Sequence, residues 1–216
     1  MHTIDPLYTL CGLLVGLLVG LTGVGGGSLM TPLLVLVFGI HPAVAVGTDL
    51  LYAAITKSVG TAVHGFNRNV DWRLVRRLAM GSAPATALTV GALYAMGAHS
   101  GDSSRLISFV VGIAVLLTAV LLLTRSWLLR VLSPRLGPDG PRHAAALTIA
   151  TGVGLGVLVS LSSVGAGALG VTALFLLYPR MPTSRIIGSD IAHAVPLTLL
   201  AGLGHWLLNS VDVTLL

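Results

Sequence analysis

The apolar positions of this chain run in long uncharged blocks. Such blocks extend from Leu78 to Gly101, from Leu106 to Thr124, from His143 to Pro179 and from Ile191 to Val211. Each is near or above the roughly 20 residues that carry an α-helix across a hydrocarbon core. Together with an apolar start from Pro6 through His41, the pattern predicts helices near 7–23, 27–39, 43–65, 74–98, 104–124, 144–163, 167–179 and 184–209. The pieces that follow two glycine clusters, around Gly25 and Gly165, have only about 12 residues. That is roughly 18 Å of helix against a core of about 30 Å. Each cluster is therefore expected at the tip of a helical hairpin that enters the bilayer and returns. The apolar start carries no basic leader and no cleavage pattern, and is read as mature protein.

The same blocks contain an internal repeat. LVGLTGVGGGSLMTPLLVLVFGIHPAVAVGTD from Leu18 to Asp49 aligns with LVSLSSVGAGALGVTALFLLYPRMPTSRIIGSD from Leu158 to Asp190. The offset is 140 up to Pro42/Pro182 and 141 after one inserted loop residue. Identical pairs include Val24/Val164, Gly25/Gly165, Gly27/Gly167, Gly47/Gly188, Asp49/Asp190, His64/His205 and Asp71/Asp212. Matched histidines and aspartates in register are hard to obtain from shared hydrophobicity alone. The expected organisation is a first repeat over 1–98 (broken hairpin 7–39, helices 43–65 and 74–98) and a linking helix 104–124 with a cytoplasmic loop within 99–142. A second repeat follows over 143–216 (broken hairpin 144–179, helix 184–209). That copy stops four residues after Asp212, where the first continues into another helix, so the chain is expected either to be truncated or to rely on a partner to cover the exposed surface.

Composition fixes the solvent. With 55% hydrophobic and 9% charged residues and a mean hydropathy of +0.95, the chain lacks the polar residues to coat a water-soluble domain of its size. The fold class is accordingly an all-α polytopic membrane protein of two inverted repeats with glycine-broken re-entrant hairpins. The pI near 10.1 comes from arginines in connecting segments, and no soluble basic domain exists that would serve a nucleic acid. Those arginines set topology. Arg68, Arg73, Arg76 and Arg77 mark one loop, and Arg125, Arg130, Arg135 and Arg142 mark another, both cytoplasmic by the positive-inside rule. Arg180 and Arg185 then fall inside, and the equivalent loop around His41, without Arg or Lys, falls outside, which inverts the two copies and leaves the N-terminus outside. The single cysteine, Cys11, excludes an intramolecular disulfide and a multi-cysteine metal site.

Inverted repeats with glycine-broken helices mark a transporter whose site lies at midplane between the halves. GLTGVGGGSLMTPLL at Gly20–Leu34, HPAVAVGTDL at His41–Leu50 and NVDW at Asn69–Trp72, with their second-copy equivalents, resemble the sulfite exporter TauE/SafE family over most of the chain. The resemblance implies a multi-helix protein of the bacterial inner membrane that carries sulfite or a related organosulfur anion outward; no cofactor is expected. It also implies further C-terminal helices. The partners implied are the bilayer, the small anion and a coupling proton or Na⁺, with a homo-oligomer left open. HExxH, GxSxG and Cys/His ligand sets are absent, so an enzyme is not expected. The rival readings are a non-transporting membrane scaffold or sensor and a truncated, inactive family member.

Candidate residues follow from the same physics. Freed backbone amides at the breaks, at Gly23, Gly25, Gly26 and Gly27 and again at Gly165 and Gly167, suit an anion through hydrogen bonds and the helix dipole. Thr22, Ser28, Ser162 and Ser163 add hydroxyls. The competing reading is close helix packing through small residues. Lys57, the only lysine, lies about four turns into an apolar helix. It either attracts the substrate or snorkels to the head groups. Asp49 and Asp190 either cap the first turns of their helices or take up the coupling ion. His193 and the paired His64 and His205 are candidates for a proton relay or for interfacial hydrogen bonds.

Overall fold

A computed structural model describes residues 6–22, 26–97, 100–136 and 141–213. These residues form eight helices: α1 (Pro6–Thr22), α2 (Gly27–Leu36), α3 (Pro42–Phe66), α4 (Trp72–Met96), α5 (Gly101–Leu136), α6 (Ala144–Ser162), α7 (Ala168–Leu177) and α8 (Thr183–Leu207). Four of them, α4, α5 over Gly101–Leu132, α6 and α8, are long and apolar enough to cross a membrane. The two helices that follow the glycine clusters, α2 and α7, have 10 residues each and are too short to cross alone. Pro42 opens α3 and Pro182 caps α8, where a missing N–H and a fixed φ cost nothing.

One expectation is corrected. The stretch with Arg125, Arg130 and Arg135, expected as a cytoplasmic loop after a helix ending at 124, is helical as far as Leu136. Leucine and arginine are good helix formers, and extending a helix already nucleated costs far less than starting one. The end of the uncharged block is therefore not the end of the helix.

Packing rests on close backbone approach at glycines. Gly47 near the start of α3 lies against the Ser210 carbonyl and His205 Cβ after and within α8, and Gly188 near the start of α8 lies against the Asn69 carbonyl and the His64 ring at the end of α3. The two helices are thus antiparallel and dock reciprocally. The Asp71 N–H donates to Ser189 Oγ at 2.8 Å, and the Asp212 N–H donates to Thr48 Oγ1 at 2.9 Å, an exchange between sequence-equivalent positions. Arg68 and Asn209, also equivalent, share a left-handed conformation, with φ of 55° and 54°. Helix α4 runs parallel to α6: Gly81 meets the Ile149 carbonyl, Gly152 the Leu78 carbonyl and Gly156 the Ser82 carbonyl.

That last seam gives a stability prediction. A side chain at Gly81 overlaps Ile149 and Val153 backbone, whereas one at Gly91 on the same helix meets nothing within 4 Å. Gly81→Val is expected to cost about 1–3 kcal/mol or more by overpacking. Gly91→Ala is expected to be neutral or stabilising by up to about 1 kcal/mol. Thermal unfolding of both variants in detergent is the check.

Polarity is distributed inside out relative to a soluble protein. Leu13, Leu36, Phe66, Leu88 and Leu123 are exposed, while Thr31, Asp49, Ser82, Ser160, Asp190, His193 and His205 are buried. Lipid is the solvent that suits such a surface. The arginine-bearing segments meet at one end: Arg185 lies 3.6 Å from the Asp71 carboxylate, and Arg77 donates to the Tyr178 hydroxyl at 3.3 Å. His41 lies beside the start of α5, its Nε2 2.8 Å from Ser104 Oγ.

Candidate functional site

The break between α6 and α7 is built by backbone that few residues tolerate. Ser163 has φ 57° and Gly165 has φ 111°, both in the left-handed region, where glycine avoids the cost a β-carbon incurs. The turn frees the Ala166 carbonyl from helical bonding. Lys57 Nζ, reaching from the middle of α3, donates to that carbonyl at 2.7 Å. A half-buried ammonium and an unpaired carbonyl at membrane depth thereby satisfy each other. The other break touches this one directly. Gly27, the first residue of α2, packs against the Ser163 backbone and hydroxyl, with no space for a β-carbon.

The two aspartates lie about two turns inside their helices, beyond the first four amides that lack helical partners. Capping therefore does not describe either one; the N-cap positions are His41 and Pro182, neither with a side-chain cap. Asp49, 1% exposed, accepts a hydrogen bond from Thr31 Oγ1 at 2.6 Å on Oδ2. Asp190, 2% exposed, sets its Oδ1 against the Cα of Gly170. Among the described residues no hydroxyl is bonded to it. Both carboxylates line the same cavity as Lys57.

These groups converge on one cavity of about 560 Å³. Asp49, Tyr52, Thr56 and Lys57 of α3 line it, with Asp190 and Ile191 of α8, Gly26 before α2, the turn Ala166–Gly167 at the head of α7, and Gly12 and Gly16 of α1. Arg125 of α5 also lines it, with its guanidinium 4.9 Å from the centroid of the Phe175 ring, a distance suited to a cation–π contact. The volume is in the range of small-ligand sites, and the wall is apolar with a few charged groups, as such sites are.

Of the residues singled out in the sequence, Gly26, Lys57, Gly167, Asp49 and Asp190 line this cavity. Gly27 and Ser163 form the contact between the breaks, and Gly165 makes the turn. Ser162 is used locally, donating to the Leu158 carbonyl at 2.6 Å. Ser28 sits in the first turn of α2, away from the cavity lining. Thr22 closes α1, and Gly23 and Gly25 lie outside the described residues. The histidines are elsewhere: His193 Nε2 is 2.9 Å from Ser82 Oγ on α4, His205 Nε2 is 2.9 Å from the Ser160 carbonyl, and His64 packs on Gly188. Each joins one helix to another. Arg125 and Thr31 are among the residues not anticipated. Arg125 was assigned to a loop, and Thr31, a lone hydroxyl in a short apolar helix, carries no local signal.

Comparison with known proteins agrees with this architecture. A family profile described as sulfite exporter TauE/SafE matches residues 8–216. The probable membrane transporter protein YjnA of Bacillus subtilis (strain 168) is 42% identical over 207 residues, covering 95% of this chain and 81% of that protein. A probable membrane transporter protein of Xylella fastidiosa (strain 9a5c) is 31% identical over 210 residues, covering 94% of this chain and 75% of that one. No solved structure matches the chain. With apolar helices long enough to span a bilayer, polar groups turned inward and a match over nearly its whole length, this multi-pass membrane transporter chain belongs to the sulfite exporter TauE/SafE family.

Proposed function

We propose that the protein carries sulfite or a small organosulfonate across a bacterial inner membrane, and that the anion binds in the cavity between the two glycine breaks. The observation that carries this reading is the meeting of Lys57 and Arg125 with the turn at the head of α7 in one cavity. A cation, a planar guanidinium and free amides at a helix N-terminus are the donors an oxyanion takes. The inverted arrangement of the repeats has its own support. The first-copy loop at His41 lies beside the start of α5, while the second-copy equivalent at Tyr178 lies beside Arg77 near the start of α4. Those are opposite ends of α4, which joins α5 through a short connection.

The direct experiment is uptake of radiolabelled sulfite into liposomes holding the purified protein, with taurine, sulfoacetate and chloride as competitors. Saturable uptake blocked by a sulfonate and not by chloride supports the reading. Absence of uptake by folded protein favours a scaffold or sensor instead. Arg125→Gln is expected to lower apparent affinity by roughly ten-fold, the value of one hydrogen bond to a charge, about 1.5 kcal/mol. A Phe175→Leu variant, which removes only the ring beneath the guanidinium, should have a smaller effect in the same assay.

A further inference from the structure

Asp49 and Asp190 are equivalent in the repeat, yet their surroundings differ. Asp49 has the Thr31 hydroxyl at 2.6 Å on one carboxylate oxygen, while its Oδ1 is buried without a hydrogen-bond partner. The Ser163 hydroxyl packs on Gly27, one turn before Thr31 on the same helix, and is likewise buried and without a hydrogen-bond partner among the described residues. Both residues are more than nine-tenths buried. Ser163 also follows the last residue of α6, where the helix dipole is negative and carbonyls are exposed. Asp190 instead sets its Oδ1 against Gly170 and shares the cavity with Lys57, with no hydroxyl bonded to it among the described residues.

We infer that Asp49, Thr31 and Ser163 form a Na⁺ site at the contact of the two breaks, and that Asp190 serves instead as the counter-charge of Lys57. The donor set is all oxygen, which selects a hard cation. A single carboxylate matches a single positive charge, and discontinuous helices offer such sites to coupling ions. A proton would need one acceptor and would leave the converging hydroxyl of Ser163 unexplained. Without Na⁺, Lys57 and Arg125 are offset by Asp49 and Asp190, and the cavity is formally neutral. With Na⁺ at Asp49 it carries one net positive charge, so cation and anion binding must favour each other by the same factor. This deepens the transport reading and rests on it for that coupling, but the cation site itself is tested without any substrate.

The purified chain in detergent is heated in NaCl, KCl or choline chloride at constant ionic strength and fixed pH. A saturable, Na⁺-specific rise in Tm is expected, absent in Asp49→Asn and present in Asp190→Asn. Thr31→Val and Ser163→Ala are each expected to weaken the apparent Na⁺ affinity by about ten-fold through loss of one ligand. If Asp49→Asn does not fold, these two milder variants decide the matter. A Tm that ignores Na⁺, a response to pH alone, or a Na⁺ response lost equally in Asp190→Asn would overturn the site. Failure of sulfite uptake with the Na⁺ response intact would remove the substrate reading and leave the cation site standing.

Discussion

Lys57→Met is expected to reduce sulfite uptake by roughly 10- to 150-fold, the range set by about 1.5–3 kcal/mol for a hydrogen bond to a charged group. The substitution keeps most of the length and the apolar stem of the side chain and removes the charge that lines the cavity. It also frees the Ala166 carbonyl that Lys57 holds at 2.7 Å, so some loss of stability accompanies the loss of transport. The two effects separate in a double variant. Asp190 is buried and lines the same cavity as Lys57, and a buried carboxylate left without its counter-charge is strongly destabilising. Lys57→Met with Asp190→Asn removes both charges. Its Tm is expected to recover relative to Lys57→Met alone while uptake stays low. Recovery of uptake together with Tm would mean that Lys57 is a structural counter-charge and that the anion is bound by other groups. Lys57→Arg is expected to restore little, since a wide planar fork replaces a compact ammonium aimed at a single carbonyl.

How far the sequence reveals this arrangement differs from residue to residue. The breaks were legible because glycine clusters in apolar blocks conflict with an uninterrupted span, and α2 and α7 begin within a residue of the expected positions. The pairing of Asp49 with Asp190 was legible as a repeat. Their different surroundings were not, because Thr31 lies 18 residues from Asp49 and Ser163 lies in the other copy. Contacts of that separation leave no periodic trace. The same holds for the identical glycines Gly47 and Gly188, whose function is to let each helix start approach the other helix's end. Arg125 was misjudged for a specific reason. Hydropathy registers where charge begins, whereas a helix continues as long as its residues favour it, and α5 continues through Arg125 to Leu136. For the histidines the sequence left a proton relay and interfacial hydrogen bonds both open, and in the structure each joins neighbouring helices, as His205 does through the Ser160 carbonyl.

Gly27→Ala is expected to abolish transport, while its neighbour Gly26→Ala is expected to leave the folded protein's Tm unchanged. A β-carbon on Gly27 meets the Ser163 carbonyl oxygen and carbon inside van der Waals distance and approaches Ser163 Oγ at 2.9 Å, whereas one on Gly26 meets nothing within 4 Å. Gly27 has an ordinary helical backbone, so the penalty is steric rather than conformational. Both atoms it meets first belong to backbone, in a turn fixed by the left-handed Ser163 and Gly165, and backbone in a close-packed interior yields less readily than the end of a side chain. The relief available is separation of the two breaks by a fraction of a methyl diameter. That movement would draw Ser163 away from Asp49 and shift the Ala166 carbonyl held by Lys57. Gly27→Ala should therefore lose the Na⁺-dependent rise in Tm along with sulfite uptake, although no charged or polar side chain has been removed. If Gly27→Ala keeps both, α2 can slide on the α6–α7 turn without consequence, and the contact between the breaks is packing rather than part of the site. Size exclusion in detergent and Tm without Na⁺ distinguish a displaced but folded bundle from an unfolded one, since only the former retains most of its baseline Tm while failing to respond to the ion.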